Sequence, residues 1–122
     1  MYLTYQSALD ALEKAVADRG EEYVYPRQGT SYNSSCLYWH KDEQAPGCLV
    51  GLVLHQLGVS AEVLESFGPA SIKMLATSLP YLGGVEMSPA AIGLMAAVQR
   101  YQDRGEPWGV ALKLAVETEG RR

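Results

Sequence analysis

Residues 48–57 read Cys48-Leu49-Val50-Gly51-Leu52-Val53-Leu54-His55-Gln56-Leu57. Pro46-Gly47 stand before this stretch and Gly58 after it, and such residues bound a helix. Apolar side chains point in nearly every direction around its axis. A helix apolar on almost all sides is buried, so the remaining elements must wrap around this one. Gly51 costs about 1 kcal/mol against Ala in a helix interior, a cost that commonly marks close approach by another element.

Upstream, Tyr5, Leu9, Leu12 and Val16 recur at i, i+4, i+7 and i+11 and line one helical face. Thr4 or Ser7 can cap that helix and Gly20 can end it. Glu22-Tyr23-Val24-Tyr25, closed by Pro26, and Cys36-Leu37-Tyr38-Trp39-His40 are aromatic and β-branched. With Arg27 to Ser35 between them, rich in Gly, Ser, Thr and Asn, they predict a hairpin with a long loop. Two strands alone are marginal and must pack on helices. Lys41 to Gly47 reads as a polar turn.

Downstream, Ser60 caps a short amphipathic helix over 61–67. Ile72, Leu75 and Leu79 fit a helix, but Pro80 and Gly83-Gly84 break the pattern, so 71–79 is open between helix and strand. Ser88-Pro89 is a helix start, followed by an apolar stripe of Ala91, Leu94, Met95, Val98 and Tyr101, with Gly105 ending it. Pro107 opens a last helix in which Trp108, Ala111, Leu112 and Ala115 share a face, and 118–122 should fray. The fold expected is α+β and mainly helical: a helix bundle with a small β-hairpin packed on it, a single globular domain over 1–122.

The chain has 122 residues, 48% of them hydrophobic, and a net charge of −4. That is enough for one core. The charge is net −3 over 1–61 and −1 over 62–122, so neither half carries a basic footprint for nucleic acid or an anionic membrane. No apolar run approaches the ~20 residues of a membrane span, and residues 1–6 show no basic region leading into an apolar stretch. The expectation is a cytoplasmic protein with its two cysteines, Cys36 and Cys48, reduced. A single bridge between them is the lesser alternative.

Cys48 is the residue most open to a chemical reading. At a helix N-terminus, the dipole and free amide groups stabilise a thiolate and can hold an oxyanion. The plainer reading is a small buried thiol. A base would have to come from His40, because His55 lies seven residues along the same helix, about 10.5 Å away, beyond the reach of a Cys–His hydrogen bond. Cys36, His40, Cys48 and His55 are too awkwardly spaced for one zinc ion, so no metal and no cofactor are expected. The last two helices superficially resemble a helix-turn-helix, but 107–117 offers only Lys113 toward base edges. Tyr32, Tyr38 and Trp39, with Arg27 beside them, form the candidate binding surface around the long loop, since rigid aromatics supply binding energy at low entropic cost. Inward packing of Tyr38 and Trp39 is the structural alternative.

Two resemblances accompany these residues. Gly47-Cys48-Leu49-Val50-Gly51-Leu52-Val53, continuing to Gln56-Leu57-Gly58-Val59-Ser60, loosely resembles the nucleophile helix of NlpC/P60 cell-wall peptidases. Those enzymes take their base from a histidine on a later strand, which this chain lacks. Tyr23-Val24-Tyr25, Pro46 through Gly51 into Leu57-Gly58-Val59, and Gln99 through Gln102-Asp103 to Pro107-Trp108-Gly109 together resemble small proteins of actinobacterial phages that have no established activity. That resemblance spans roughly residues 5–116. It implies an accessory protein of the host cytoplasm and carries over no catalytic residue.

Three functions compete. The first is a non-enzymatic phage-type accessory protein that binds a host or phage protein, with neither nucleic acid nor membrane as partner. The second is a small cysteine-dependent, papain-like hydrolase or transferase using Cys48 with His40. The third is a small-ligand binder with a pocket between the hairpin and the buried helix.

Overall fold

A computed structural model describes residues 1–26, 37–68 and 70–119. Six helices form among them: α1 (Tyr5–Arg19), α2 (Leu49–Gln56), α3 (Ala61–Phe67), α4 (Ile72–Leu82), α5 (Pro89–Asp103) and α6 (Trp108–Glu119). Four two-residue strands accompany them: β1 (Tyr2–Leu3), β2 (Trp39–His40), β3 (Ala45–Pro46) and β4 (Glu86–Met87). The protein is thus mainly helical α+β, with a small antiparallel hairpin on a helical body.

Local chemistry starts most of these helices where the sequence places them. Thr4 and Ser7 form a reciprocal capping box at α1: Ser7 N–H donates to Thr4 Oγ1 (3.2 Å) and Thr4 N–H to Ser7 Oγ (2.8 Å). Ser60, Ser71 and Ser88 each accept a hydrogen bond from the third residue of the helix they precede. Segment 71–79 resolves as helix, and α4 runs through Pro80 to Leu82. The missing N–H of Pro80 falls in the final turn, where it removes one bond and interrupts no further ladder.

Leu49, Val50, Gly51, Val53 and Leu54 of α2 are buried. Around them stand α1, which contributes Ala8, Leu12, Ala15 and Val16, and α5, which contributes Ala91, Leu94, Met95, Ala97 and Val98. The short connection 104–107 folds α6 back along α5 and brings Trp108, Ala111, Leu112 and Ala115 into the same core. The far end of α2 is tied to α1 by Gln56 Nε2, which donates to Asp18 Oδ2 (2.7 Å). Lys14 (3.1 Å) and then Gln56 hold the Asp18 carboxyl below its ordinary pKa.

One strand of the expected hairpin forms within 36–40, but its partner lies elsewhere. Residues 23–26 form no strand. Their backbone serves α6 instead: Trp108 N–H donates to Tyr23 O and Gly109 N–H to Glu21 O, both at 2.8 Å. These carbonyls do the work of an N-cap. Tyr23 also stacks edge-on against Trp108 (centroids 4.7 Å apart), with the Arg19 guanidinium 4.9 Å from the Tyr23 ring centre. The hairpin that does form pairs Trp39 with Pro46 and His40 with Ala45, around the turn 41–44. Its ladder continues through Gly47 N–H to Tyr38 O (3.2 Å) and Cys48 N–H to Leu37 O (3.0 Å). A second pair, unheralded in the sequence, joins β1 to β4 in parallel, Tyr2 opposite Glu86 and Leu3 opposite Met87. Of the residues expected to fray, 118–122, Thr118 and Glu119 are instead the last residues of α6, where Thr118 Oγ1 donates to Leu114 O (2.9 Å); 120–122 and the long loop, Arg27 to Ser35, lie outside the described residues.

Gly51 explains its own cost. A Cβ there would stand 2.9 Å from Tyr38 Cα and overlap the Tyr38 carbonyl oxygen. Gly51→Ala is therefore expected to destabilise the fold by about 3 kcal/mol through overpacking, where Gly→Ala in an unconstrained helix gains about 1 kcal/mol. Urea denaturation followed by circular dichroism measures it, and an unchanged or raised midpoint contradicts the crossing.

Candidate functional site

The residues nominated by the sequence fall around the N-terminus of α2, where the hairpin feeds into the helix. Cys48 is the N-cap residue and is a free thiol with 0% exposure. Both amide groups that a nucleophile at this position would use are occupied. Cys48 N–H donates to Leu37 O (3.0 Å), and Leu49 N–H donates to Gln102 Oε1 (2.8 Å). An oxyanion hole needs free donors aimed at open space, and these two have neither freedom nor space.

His40 stands beside Cys48 in the chain's path, because its ring packs over Gly47. A Cβ on Gly47 would come within 2.6 Å of His40 Nε2. That same Nε2 lies 2.8 Å from the Tyr25 hydroxyl, which also receives the Leu37 N–H (3.2 Å). Among the described residues, His40 and Cys48 share no hydrogen bond. His40 and Tyr25 instead pin the first strand of the hairpin to residues 23–26, and Tyr25 is buried.

Gln99 and Gln102 are buried polar residues that the sequence reading passed over as functional. Both belong to α5. Gln102 uses Oε1 to cap α2, as above, and Nε2 to reach Asp103 Oδ1 (3.0 Å). Gln99 Nε2 lies 3.3 Å from the Tyr38 hydroxyl, which donates to Ala70 O (2.6 Å). A signal for Gln102 was present: 91, 95, 98 and 102 fall on one helical stripe, so Gln102 occupies a core position of α5. A buried amide has to be satisfied, and the unfilled helix start at Leu49 satisfies it.

The aromatic surface divides. Tyr38 is fully buried and forms part of this network, so it is no part of an exposed patch. Its inward direction follows from the strand alternation that turns Trp39 outward. Trp39 is half-buried, with its ring 5.3 Å from that of His55, whose Nδ1 lies 3.3 Å from Val59 O. Tyr32 and Arg27 lie outside the described residues. At Gly51 the Tyr38 backbone rests directly on α2 and leaves no space between them. A cleft of about 310 Å³ opens on the other side of the hairpin, between Leu37, Trp39, His40, the turn residues Lys41, Asp42 and Glu43, and Glu65 of α3. Lys41 and Glu65 approach to 3.8 Å across it.

Among the described residues, no three His, Cys, Asp or Glu side chains are placed to hold a metal ion, and no helix is long and apolar enough to cross a membrane.

Two outcomes follow from this geometry. Gln102→Leu leaves the buried Leu49 N–H without its acceptor and should cost about 2 kcal/mol, with faster hydrogen exchange at the Leu49 amide by NMR. An unchanged exchange rate there contradicts the cap. Cys48 should resist iodoacetamide in the native protein and react only as the chain unfolds, as peptide mass spectrometry of timed samples can show. Rapid native alkylation at Cys48 contradicts its burial. No protein-family model, curated protein or solved structure matches this chain.

Proposed function

We propose that this chain is a non-enzymatic accessory protein of phage type that works in the cytoplasm by binding another protein through the hairpin end of the molecule. The observation that carries this reading is the state of the α2 N-terminus. There the thiol is buried, and its two neighbouring amides are spent on Leu37 and Gln102. His40 is spent on Tyr25. A cysteine hydrolase needs an accessible thiol, a base within hydrogen-bond reach and free oxyanion donors together. Here the thiol is buried, the Cys48 amide and His40 Nε2 are bonded within the hairpin region, and the Leu49 amide is bonded to α5. The phage-type assignment rests on the resemblance carried by Tyr23-Val24-Tyr25, Pro46 to Gly51 and Gln99 to Gly109.

The binding face on this reading is Trp39 with the cleft beside it; Arg27 and Tyr32, which complete the candidate set, lie outside the described residues. A half-buried tryptophan at the rim of a cleft is a strong anchor, since such residues dominate interface energetics. The local charge also disfavours nucleic acid, because Asp42, Glu43 and Glu65 outnumber Lys41 around the cleft.

Trp39→Ala and Tyr32→Ala, each confirmed folded by circular dichroism, should lower recovery of the partner from infected host cells at least tenfold, consistent with loss of a hot-spot residue worth about 2 kcal/mol. Unchanged recovery, together with loss of biological activity in a folded Cys48→Ala variant, would falsify the binding reading and restore the cysteine chemistry.

A further inference from the structure

The cleft beside Trp39 holds three carboxylates, Asp42 and Glu43 from the turn and Glu65 from α3, against one ammonium, Lys41. All four residues are exposed. Among the described residues Asp42 and Glu43 form no ion pair. Exposed carboxylates are well solvated, and alone they select no ligand.

A second observation points to an occupant. Lys41 Nζ reaches across the cleft to Glu65 Oε1, 3.8 Å away. That distance is beyond a hydrogen bond, and so exposed a pair is weak. The backbone beneath it is held: Gln44 N–H (3.3 Å) and Gln44 Nε2 (2.9 Å) both donate to Lys41 O and close the turn. The cleft therefore already places a cation against Glu65, on a side chain that can swing away while the turn stays in place.

We infer that the cleft is a receptor for one arginine side chain of the partner protein, which stacks on Trp39 and displaces Lys41 from Glu65. The inference rests on the binding face proposed above and names what that face accepts. Three features select arginine. The volume, about 310 Å³, lies at the low end of ligand pockets, roughly 300–1,000 Å³, and suits one long side chain in place of a whole helix. The excess of carboxylates opposes an acidic segment and favours a cation. Tryptophan in the wall favours a guanidinium, which stacks on an indole face and can give a carboxylate two parallel N–H bonds. The compact, strongly hydrated ammonium of Lys41 has neither property, so an arriving guanidinium outcompetes it.

The tripeptide acetyl-Gly-Arg-Gly-amide, titrated into isotope-labelled protein and followed by NMR of its N–H groups, tests this. The Trp39 indole N–H and the amides of 41–43 and 65 should shift together and saturate. The dissociation constant should be on the order of 1 mM, the scale of one side chain's contacts. The indole N–H of Trp108, which is fully buried, should stay in place. Citrulline, the neutral isostere, should abolish saturation when it replaces arginine, and lysine there should bind about threefold more weakly or worse. Glu65→Gln should weaken the arginine peptide about fivefold or more. Lys41→Gln should tighten it about twofold to fivefold, the range of an exposed ion pair, and the gain should disappear when Glu65→Gln is also present.

Equal binding of the arginine and citrulline peptides overturns the inference. So does the absence of a saturable shift at Trp39, a lysine peptide that binds as well, or a Lys41→Gln variant that binds no tighter. These failures are distinguishable from failure of the binding reading. Loss of the partner on Trp39→Ala without arginine binding keeps the face and overturns its arginine. Arginine binding with unchanged partner recovery supports the cleft chemistry and removes the face from partner capture.

Discussion

Where the hairpin crosses α2, the Tyr38 backbone lies on Gly51 so closely that no side chain fits between them. The contact sets the height of residues 37–40 above the helix. At that height the Tyr38 ring enters the core and its hydroxyl reaches Ala70 O and Gln99, while Trp39 is turned to the rim. The returning strand then ends on Cys48, with its N–H bound to Leu37 O and its thiol buried. A larger residue at 51 would lift the hairpin and disturb each of these positions together, which is why a residue unfavourable to the helix occupies its interior.

The crossing creates a second requirement. It buries the start of α2, where helix amides have no intrahelical acceptor. No side chain caps that start locally, because Cys48 makes no side-chain cap bond. The acceptor comes instead from Gln102, 53 residues away on α5. A buried helix end therefore couples three elements, the hairpin, α2 and α5, through the adjacent amides of Cys48 and Leu49. The same economy appears at α6, whose first amides are met by the carbonyls of residues 21 and 23. In both places the first amides of a helix are met by groups distant in the chain.

This explains which parts of the fold were legible. α1 and α5 were readable from cap and periodicity, both local properties. The buried character of α2 was readable too, and so was the need for an element near Gly51. Of the two strands expected in the hairpin, the one within 36–40 forms, whereas Tyr23-Val24-Tyr25 has the composition of a strand but its backbone is claimed by α6, some 85 residues later. Strands of two residues, such as β1 and β4, carry no periodicity to detect. Pro80 breaks the pattern of 71–79 and leaves that segment open between helix and strand, yet α4 outlasts it by two residues, since position within the last turn decides the penalty. At the candidate site, the sequence correctly put Cys48 at a helix N-terminus. It could not reveal that the adjacent amides were taken, because their partners are distant in the chain. Gln102 was the one clue, a polar residue on an apolar stripe.

The packing that draws Tyr38 and Cys48 into the interior leaves the hairpin rim with one large aromatic, a cleft and an excess of carboxylates. The backbone under these groups is held from both sides. Gln44 closes the turn onto Lys41 O, and Glu65 stands on α3, whose start is capped by Ser60. The charged side chains themselves are exposed. A cleft with a held backbone and exposed charges loses little on binding, because only side chains have to reorder. The Lys41–Glu65 pair and a pair formed with an incoming cation are the same kind of interaction with a different partner. Exchanging one for the other therefore changes the energy little, and the aromatic wall supplies the difference. What the carboxylates contribute is mainly selectivity, since an acidic chain at this rim meets like charges while a basic one does not.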